Sequence, residues 1–476
     1  MTAAGGRVIL FNGEYYKYTM KEEITRLRDF PSVEELLQDK TLAEFIALVP
    51  RPVAADIVKE IVAAGKKKLQ KSGTALKSGV LTEEIRGALL KMKRQEISRV
   101  INGTGILVHT NLGRAPLSES IFEAVKKTVV GYGNIEFNLE RGVRGKRGEA
   151  CEKYLARLAG AESATVVNNC AAALFIILNT LANRRKVVIS RGELVQIGGG
   201  FRIPDILKRS GAKLCEVGTT NITTPADYEN NLDDRTALIL KVHKSNFIQA
   251  GFSEEVPLKK LVALGKKHNL PVVNDLGSGV FISTKDILGY EEPTVQQSVR
   301  AGVDITCFSG DKMLGGVQAG LIVGKEKLIG KIKKNPIFRT VRVDKIVFSI
   351  IEKMLTVYLN AEHRDEIKLW SLLSVPEAEL YKRGKNILTR LGKPEGVGIE
   401  ATRAFVGGGA LPESAIPSVG LVFAKTYNAD RLMKNLRNHQ PPIIGRIEND
   451  CFIVDLKAID TEDIEILVDA VKKNIK

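Results

Sequence analysis

The sequence predicts an α/β protein organised around a mainly parallel central sheet, with a helical region before it and a smaller α/β unit after it. From Val100 onward, short apolar runs alternate with helix-like segments, which is typical of a parallel sheet covered on both faces. Hydrophobic residues make up 44% of the chain and charged residues 26%, an ordinary globular composition. The 476 residues suffice for about two or three domains with a sizeable core.

Residues 1–95 are predicted to form a separate helical domain. Ser32 followed by Glu35 is a capping-box pattern, and amphipathic segments cover residues 42–48 and 52–64. Lysines cluster at positions 66–68, 71 and 77. Such a cluster is either a solvated surface or a face that follows nucleic-acid phosphates, and the sequence leaves both possibilities open.

Residues 96–345 are predicted to form the large domain that carries the central sheet. Its strands are expected at residues 166–167, 187–190, 214–217, 237–242, 272–273, 305–308 and 321–323. Its helices are expected at residues 151–158, 171–182, 204–209, 258–267 and 295–300. Because ligands collect at the carboxyl ends of such strands, polar residues that follow these strands are the first candidates for a site.

Residues 346–476 are predicted to comprise a linker helix and a small α/β domain. The helix is expected at residues 346–359, with strands at 418–423 and 451–455 and a closing helix at 462–473. No internal repeat or low-complexity linker interrupts the chain.

Charge and cysteine content indicate the kind of partner and the cellular compartment to expect. Lys and Arg number 71 against 55 Asp and Glu, a net charge of +16. Such an excess fits a polyanionic partner such as nucleic acid, or simply a basic proteome. The five cysteines never have CxxC spacing, so neither a disulfide framework nor a zinc site is expected. This cysteine pattern predicts a protein of the reducing cytoplasm. No signal-peptide pattern is present, and the most apolar segment, residues 171–181, is too short to span a bilayer.

The first candidate for chemistry is Lys312, in the turn Ser309-Gly-Asp-Lys between two apolar runs. An amine so close to a core must be neutralised, paired or covalently bound. One hypothesis is that Lys312 binds a carbonyl cofactor as a Schiff base. The alternative is an ordinary solvated turn lysine, and the turn Ser309-Gly-Asp-Lys taken by itself favours this alternative.

The residues at two further strand ends favour the Schiff-base hypothesis for Lys312 over a solvated turn lysine. Asn169, Cys170 and Ala171 lie between a strand and an Ala-rich helix, whose free amides can receive a phosphate. Asp275 follows a buried strand, where a carboxylate needs a cation such as a protonated pyridine nitrogen. Each signal is weak alone, because Asn and Asp also cap ordinary helices and turns. Together with Lys312, and with the Ser309 hydroxyl available to a phosphate, they match the parts that pyridoxal phosphate needs.

Three arginines are candidates for binding an oxyanion. Arg114 follows His109-Thr-Asn-Leu-Gly, and Arg339 and Arg342 lie in Phe338-Arg-Thr-Val-Arg. Guanidinium forks suit phosphate-like groups, although each arginine could equally be a surface residue.

Several long motifs in order resemble the bacterial selenocysteine synthase family, the L-seryl-tRNA(Sec) selenium transferases. They are VINGTGILVHTNLGRAPL from Val100, SRGELV from Ser190, FRIPD from Phe201, EVGTTN from Glu216, SGDKMLGG from Ser309 and IGRIE from Ile444. The resemblance runs from about Leu27 to the carboxyl terminus.

This resemblance implies a fold-type I pyridoxal-phosphate enzyme of the aspartate aminotransferase-like class. Such an enzyme makes selenocysteinyl-tRNA(Sec) from seryl-tRNA(Sec) and selenophosphate, by β-elimination to an aminoacrylyl intermediate and selenium addition. It implies that Lys312 binds the cofactor with Asp311 beside it, that Asp275 faces the ring nitrogen, and that Asn169, Cys170 and Ala171 cradle the phosphate. Arg114, Arg339 and Arg342 would grip selenophosphate. It also implies that the helical domain binds tRNA and that the protein forms a ring of five dimers, in the cytoplasm.

Departures from the family pattern keep alternatives open. Cys170 stands where a third Asn is expected, Lys146 where Ser is expected, and Ala150 where His is expected. A pyridoxal-phosphate lyase or transferase that acts on a small amino acid without tRNA would retain Lys312 and Asp275. A tRNA-binding scaffold without catalytic activity would bind no cofactor.

Overall fold

The structure is a computed structural model that describes residues 7–11, 14–18, 22–197, 200–245, 247, 249–407 and 415–475. The chain divides into two units, residues 1–99 and residues 100–476. None of the helices in these described ranges combines the length and the apolar character that a membrane span requires.

The first unit combines helices with short strand pairs. Its elements are β1 (Arg7–Phe11), β2 (Glu14–Tyr18), β3 (Glu23–Ile24), α1 (Val33–Leu37), α2 (Ala43–Ile46), α3 (Arg51–Ser72), β4 (Leu76–Lys77) and α4 (Ser78–Gln95). The pairs β1–β2 and β3–β4 are antiparallel, and the sequence prediction of helices alone did not include them. The capping box is present, since the Ser32 side chain accepts from the Glu35 amide and Glu35 accepts from the Ser32 amide.

The second unit begins with alternating helices and strands. They are β5 (Ile101–Asn102), α5 (Glu119–Val130), β6 (Phe137–Asn138), β7 (Val143–Arg144), α6 (Glu149–Ala159), β8 (Ser163–Val167), α7 (Cys170–Ala182), β9 (Lys186–Ser190), β10 (Gln196–Ile197), β11 (Phe201–Arg202), α8 (Ile203–Arg209), β12 (Lys213–Val217), α9 (Pro225–Glu229), β13 (Thr236–Val242), α10 (Leu258–Lys267), β14 (Val272–Gly277), α11 (Lys285–Leu288), α12 (Val295–Arg300), β15 (Ile305–Ser309), β16 (Gly320–Gly324) and α13 (Glu326–Lys334). The strands and helices expected over residues 151–323 are therefore confirmed, most of them with slightly longer bounds.

The central sheet has seven strands in the order β12-β9-β13-β14-β15-β16-β8. Neighbours from β12 to β15 pair in parallel, whereas β16 is antiparallel to both β15 and β8. Residues 310–319 join β15 to β16, and this connection is too short for the crossover that a parallel pair requires. The mainly parallel sheet predicted from the sequence is confirmed.

Both faces of this sheet are covered by apolar side chains. On one face, α7 packs against apolar strand residues, and its side chains Leu174, Ile176, Ile177 and Leu178 are completely buried. Helices α6 and α14 (Lys345–Leu359) pack against the apolar strand residues of the other face, where Trp370 and Met354 are fully buried. Two-sided burial explains why the strands contain near-continuous apolar runs instead of alternating ones, and it fixes the strand ends that carry the polar residues described below.

The remaining elements form the smaller α/β part. They are α15 (His363–Glu366), α16 (Lys368–Ser374), α17 (Glu377–Arg390), β17 (Val397–Phe405), β18 (Ala415–Phe423), α18 (Ala429–Arg437), β19 (Ile443–Ile444), β20 (Arg446–Glu448), β21 (Cys451–Asp455) and α19 (Ile464–Lys472). Strands β17, β18, β21 and β20 make an antiparallel sheet in that order. The predicted strands at 418–423 and 451–455 and the predicted closing helix are present.

Candidate active site

The carboxyl ends of β14 and β15 and the amino terminus of α7 border one cavity of about 180 Å³. It brings together most of the residues predicted from the sequence, namely Lys312, Asp311, Asp275, Asn169, Cys170, Ala171, Ser309 and Arg114. They come from four separate stretches of the chain, and the parallel topology collects them at one edge of the sheet.

Lys312 lies in the turn between β15 and β16 and is 6% exposed. The turn is held by backbone hydrogen bonds, from Gly310 to the Ala319 carbonyl at 2.8 Å and from Met313 to the Ser278 carbonyl at 3.0 Å. Burial lowers the pKa of the Lys312 amine, while the nearby Cys170 and Asp275 side chains oppose that shift. A buried amine with a lowered pKa has a larger uncharged fraction, and the uncharged form is the nucleophile that attacks a carbonyl.

Asp275 is 7% exposed and lies at the carboxyl end of β14. Burial raises the pKa of its carboxyl group, and Lys312 and the Cys170 and Cys307 thiols oppose the shift. The Cys170 Sγ lies 3.6 Å from the Asp275 Oδ1. A carboxylate this deeply buried is stabilised by a cation beside it, so a protonated ring nitrogen placed in the cavity would suit it.

The amino terminus of α7 provides the predicted phosphate cradle. Asn169 is the N-cap, and its side-chain oxygen accepts a hydrogen bond from the Ala172 amide at 2.8 Å, while its backbone carbonyl accepts from Ala173 at 3.0 Å. The amides of Cys170 and Ala171 precede these two and belong to the first turn, where helix amides have no intrahelical acceptor. Both residues line the cavity, so their amides and the helix dipole are available to an anion.

Two glycines make room for the cavity. A Cβ on Gly320 would lie 2.1 Å from the Asn169 carbonyl oxygen, so only glycine lets β16 pass beneath the start of α7. Gly277 has φ +69°, and a Cβ there would lie 3.8 Å from Lys312 Nζ and 3.6 Å from Ser245 Oγ. A side chain at position 277 would therefore occupy the space beside the lysine amine.

Arg114 and Asp311 form the charged rim of the same cavity. The Asp311 carbonyl accepts a hydrogen bond from the Ala115 amide at 3.2 Å. Burial raises the pKa of the Asp311 carboxyl group, and the Arg114 guanidinium opposes it. Arg114 itself has φ 72°, in the left-handed region that non-glycine residues seldom adopt. Strained backbone of this kind is concentrated at functional sites.

Not every predicted residue reaches this cavity. Arg339 and Arg342 are exposed on the segment before α14 and are absent from the cavity lining in the described residues. Arg342 instead lines a second cavity together with Arg144, Lys146 and Arg147. Ala150, like Lys146, borders a third, separate cavity, so the departures at these two positions lie outside the Lys312 site.

Sequence reasoning missed three residues near this site. The His243 amide donates to the Asp275 carbonyl at 2.9 Å, and its Nε2 lies 3.1 Å from the Oε1 of Glu292, which is 1% exposed. The Ser245 Oγ lies 3.6 Å from the position that a Cβ at Gly277 would take, and Cys307 pairs in register with Asp275 on the adjacent strand. For His243 and Ser245 the available signal was their position after the apolar strand β13, the same signal that identified Asp275.

These residues fit pyridoxal phosphate. They offer a buried amine for its carbonyl carbon, a buried carboxylate for its ring nitrogen, a helix amino terminus for its phosphate and a space that a Cβ at Gly277 would fill.

Comparison with known proteins gives consistent matches over most of the chain. A family model described as L-seryl-tRNA selenium transferase matches residues 100–460. Curated relatives with the name L-seryl-tRNA(Sec) selenium transferase include one from Aquifex aeolicus (strain VF5), 42% identical and covering 94% of this chain and 98% of its own length. Another from Geotalea uraniireducens (strain Rf4) is 41% identical and covers 94% of this chain and 99% of its own length.

A solved structure of D-glucosaminate-6-phosphate ammonia-lyase is similar at 17% identity with a TM-score of 0.58. The match covers 80% of this chain and 96% of that one. This likeness concerns the fold, and it agrees with the fold-type I class predicted from the sequence.

Proposed function

The chain belongs to the L-seryl-tRNA selenium transferase family, and from that premise we propose that it converts seryl-tRNA(Sec) to selenocysteinyl-tRNA(Sec) at the Lys312 cavity. The observation that carries this proposal is the convergence of Lys312, Asp275 and the α7 amino terminus on one cavity, in a chain that matches these relatives over 94% of its length.

Family membership supports pyridoxal 5'-phosphate as the cofactor. Lys312 would hold its carbonyl carbon, Asp275 its ring nitrogen, and the Cys170 and Ala171 amides with Ser309 its phosphate. When bound, this cofactor supplies an electron-accepting ring that stabilises negative charge at the α-carbon of an amino acid.

The chain's own residues then have distinct tasks. Lys312, whose pKa burial lowers, is placed to take the α-proton of the seryl group once its amine is free. Asp311 lies beside Lys312 at the rim of the cavity. Because burial raises the pKa of its carboxyl group, Asp311 can hold a proton and donate it to the oxygen that leaves the seryl group. Asp275 would place a carboxylate next to the ring nitrogen and so favour its protonated form.

We propose selenophosphate as the selenium donor and Arg114 as the residue that grips its phosphate. Arg114 lines the cavity, and its guanidinium can form two parallel hydrogen bonds to an oxyanion. Arg339 and Arg342 are also proposed to bind selenophosphate, on the strength of the family resemblance alone.

Replacing Arg114 with glutamine is expected to lower kcat/KM for selenophosphate about 10- to 100-fold, since hydrogen bonds to charged groups contribute about 1.5–3 kcal/mol. Steady-state kinetics with varied selenophosphate would measure this. Arg184→Gln is the matched control, because Arg184 also has a positive φ, 61°, and does not line the cavity in the described residues. Equal losses in both variants would contradict the assignment.

We propose that residues 1–95 bind the tRNA, with the basic cluster on α3 following its backbone. Lys67, Lys68 and Lys71 are all exposed on this helix. The net charge of +16 supports a polyanionic partner that is read through its shape and backbone.

Neutralising this cluster with Lys67→Gln, Lys68→Gln and Lys71→Gln is expected to weaken tRNA binding and to flatten its salt dependence. Each lost phosphate contact should reduce the slope of log K against log salt by roughly 0.7–0.9. Filter binding between low and moderate salt would measure it. The control is a triple Gln variant at the exposed Lys325, Lys327 and Lys331 of the other unit. The assignment fails if the two variants change the slope equally.

A ring of five dimers and a cytoplasmic location remain proposals that rest on the family resemblance. The mass of the purified assembly in solution would test the first.

The proposed reaction is tested by incubating the purified protein with seryl-tRNA(Sec) and selenophosphate and analysing the amino acid esterified to the tRNA. Selenocysteine should appear only when both substrates are present. Turnover of free serine or cysteine without tRNA, with no change to seryl-tRNA(Sec), would instead favour a lyase that acts on small amino acids.

A further inference from the structure

Two thiols and a carboxylate lie together beneath the Lys312 cavity. One sulfur each from Cys170 and Cys307 and one oxygen from Asp275 all lie within 4.8 Å of one another. The contact between Cys170 Sγ and Asp275 Oδ1 is 3.6 Å. Cys170 and Asp275 line the cavity, and Cys307 is fully buried behind them.

The fold topology explains why no sequence motif identifies the cluster of Cys170, Asp275 and Cys307. Asp275 on β14 and Cys307 on β15 are direct partners in the parallel register. Cys170 is the first residue of α7, which starts at the same edge of the sheet. The three residues are thus fixed by two central strands and a buried helix, and their separation in sequence hides them from a search for CxxC spacing.

The donor set and its spacing suit a thiophilic divalent ion. Two thiolates with one carboxylate are ligands that Zn²⁺ accepts, at bond lengths of about 2.0–2.3 Å in a tetrahedral arrangement. Ligand atoms of such a site are about 3.3–3.8 Å apart, and the sulfur-to-oxygen distance of 3.6 Å falls within this range. A fourth position would face the cavity, as in zinc sites that keep one position open.

The surroundings also suit the charge. Two thiolates, one carboxylate and a divalent ion sum to one negative charge, and the Lys312 amine and Arg114 border the same cavity. On binding, each thiol releases its proton to solvent, so no oxidant or reductant is needed.

We propose that the cofactor-free protein binds one zinc-like ion through Cys170, Asp275 and Cys307, and that this ion and the cofactor exclude each other. The exclusion rests on the proposed function, because Asp275 cannot face a ring nitrogen while it coordinates a metal. The site would make cofactor-free protein sensitive to thiophilic metals and would hold the cavity closed to cofactor while the ion is present.

Cobalt(II) titration of the full-length, cofactor-free protein tests this proposal. Binding should produce a thiolate-to-cobalt absorption in the near ultraviolet that saturates at one ion per chain and disappears when Zn²⁺ is added. Cys170→Ala and Cys307→Ala should each weaken cobalt binding at least about 100-fold, since each removes a direct ligand. Cys215→Ala is the matched control, because Cys215 is half-buried like Cys170 and should leave the titration unchanged.

Pyridoxal phosphate added before cobalt should prevent the absorption, and cobalt added first should slow cofactor binding. Absence of the thiolate absorption in the parent protein, or cobalt affinity in Cys170→Ala equal to that of the parent, overturns the metal site. Cys170→Ala decides the matter if the buried Cys307→Ala variant does not fold. A protein that holds cobalt and cofactor together overturns the exclusion, whereas the proposed reaction is judged separately by the selenocysteine assay.

Discussion

Replacing Lys312 with methionine is expected to abolish the visible absorbance of bound cofactor and to reduce selenocysteine formation by at least roughly 10³-fold. The substitution keeps an unbranched side chain that is one atom shorter and removes the amine, which is the only group of this side chain that can bond to a carbonyl or accept a proton. Absorbance spectroscopy of the purified variant and single-turnover assays with seryl-tRNA(Sec) measure the two effects.

Lys457→Met is the matched control for this experiment. Lys457 is 3% exposed, and burial lowers the pKa of its amine as it does for Lys312. It lies after β21 in the smaller α/β part and donates to the Val375 carbonyl at 2.7 Å. This variant should retain cofactor absorbance and turnover. A Lys312→Met protein that kept both would contradict the proposed site.

Replacing Asp275 with asparagine is expected to lower turnover roughly 10²- to 10³-fold, with a smaller loss of cofactor binding. Asparagine has nearly the same shape but no charge, so it cannot keep a ring nitrogen protonated. Rapid-mixing kinetics and cofactor titration separate the two effects. Unchanged turnover in Asp275→Asn would refute the assignment of this carboxylate to the ring nitrogen.

The same variant has a second expected effect in cofactor-free protein. Burial raises the pKa of Asp275 in the folded state above the value of about 3.9 expected in the unfolded chain. Its contribution to stability is therefore complete below about pH 4 and is lost as pH rises through the raised pKa. Asparagine does not titrate, so the melting temperature of Asp275→Asn should exceed that of the parent increasingly from pH 4 upward. Parallel melting curves would contradict the desolvation of Asp275.

Much of this site could be predicted from the sequence because its residues follow buried strands. Val272-Val273 and residues 305–308 are apolar runs that only a covered parallel sheet accommodates, and Asp275 and Lys312 come directly after them. The structure places both on the same cavity. Asn169 was recognised because a polar residue between a strand and an Ala-rich segment is typical of a helix cap.

What the sequence could not show depends on contacts between distant residues. Cys307 looks like any core residue until the register of β14 and β15 sets it opposite Asp275. The Glu292 partner of His243 lies 49 positions away in sequence, and no local pattern links the two. The β1–β2 pair is different, because Asn12-Gly13 between the apolar residues 8–11 and the tyrosine-rich residues 14–18 is a local hairpin signal.

The three arginines that the family resemblance assigns to selenophosphate differ in where they lie. Arg114, Arg339 and Arg342 had equal standing in the sequence, yet only Arg114 of the three lines the Lys312 cavity in the described chain. Kinetics of single Arg→Gln variants with varied selenophosphate would show whether the other two contribute.

Borohydride reduction of the cofactor-bound protein followed by peptide mass spectrometry tests the central claim most directly. Reduction converts a lysine–cofactor Schiff base into a stable secondary amine, so the modified lysine can be read from the peptides. The modification is expected on the peptide that contains Lys312 and on no other. A pyridoxyl group on a different lysine, such as Lys241 within β13 or Lys244 just after it, or no modified peptide at all, would contradict the claim.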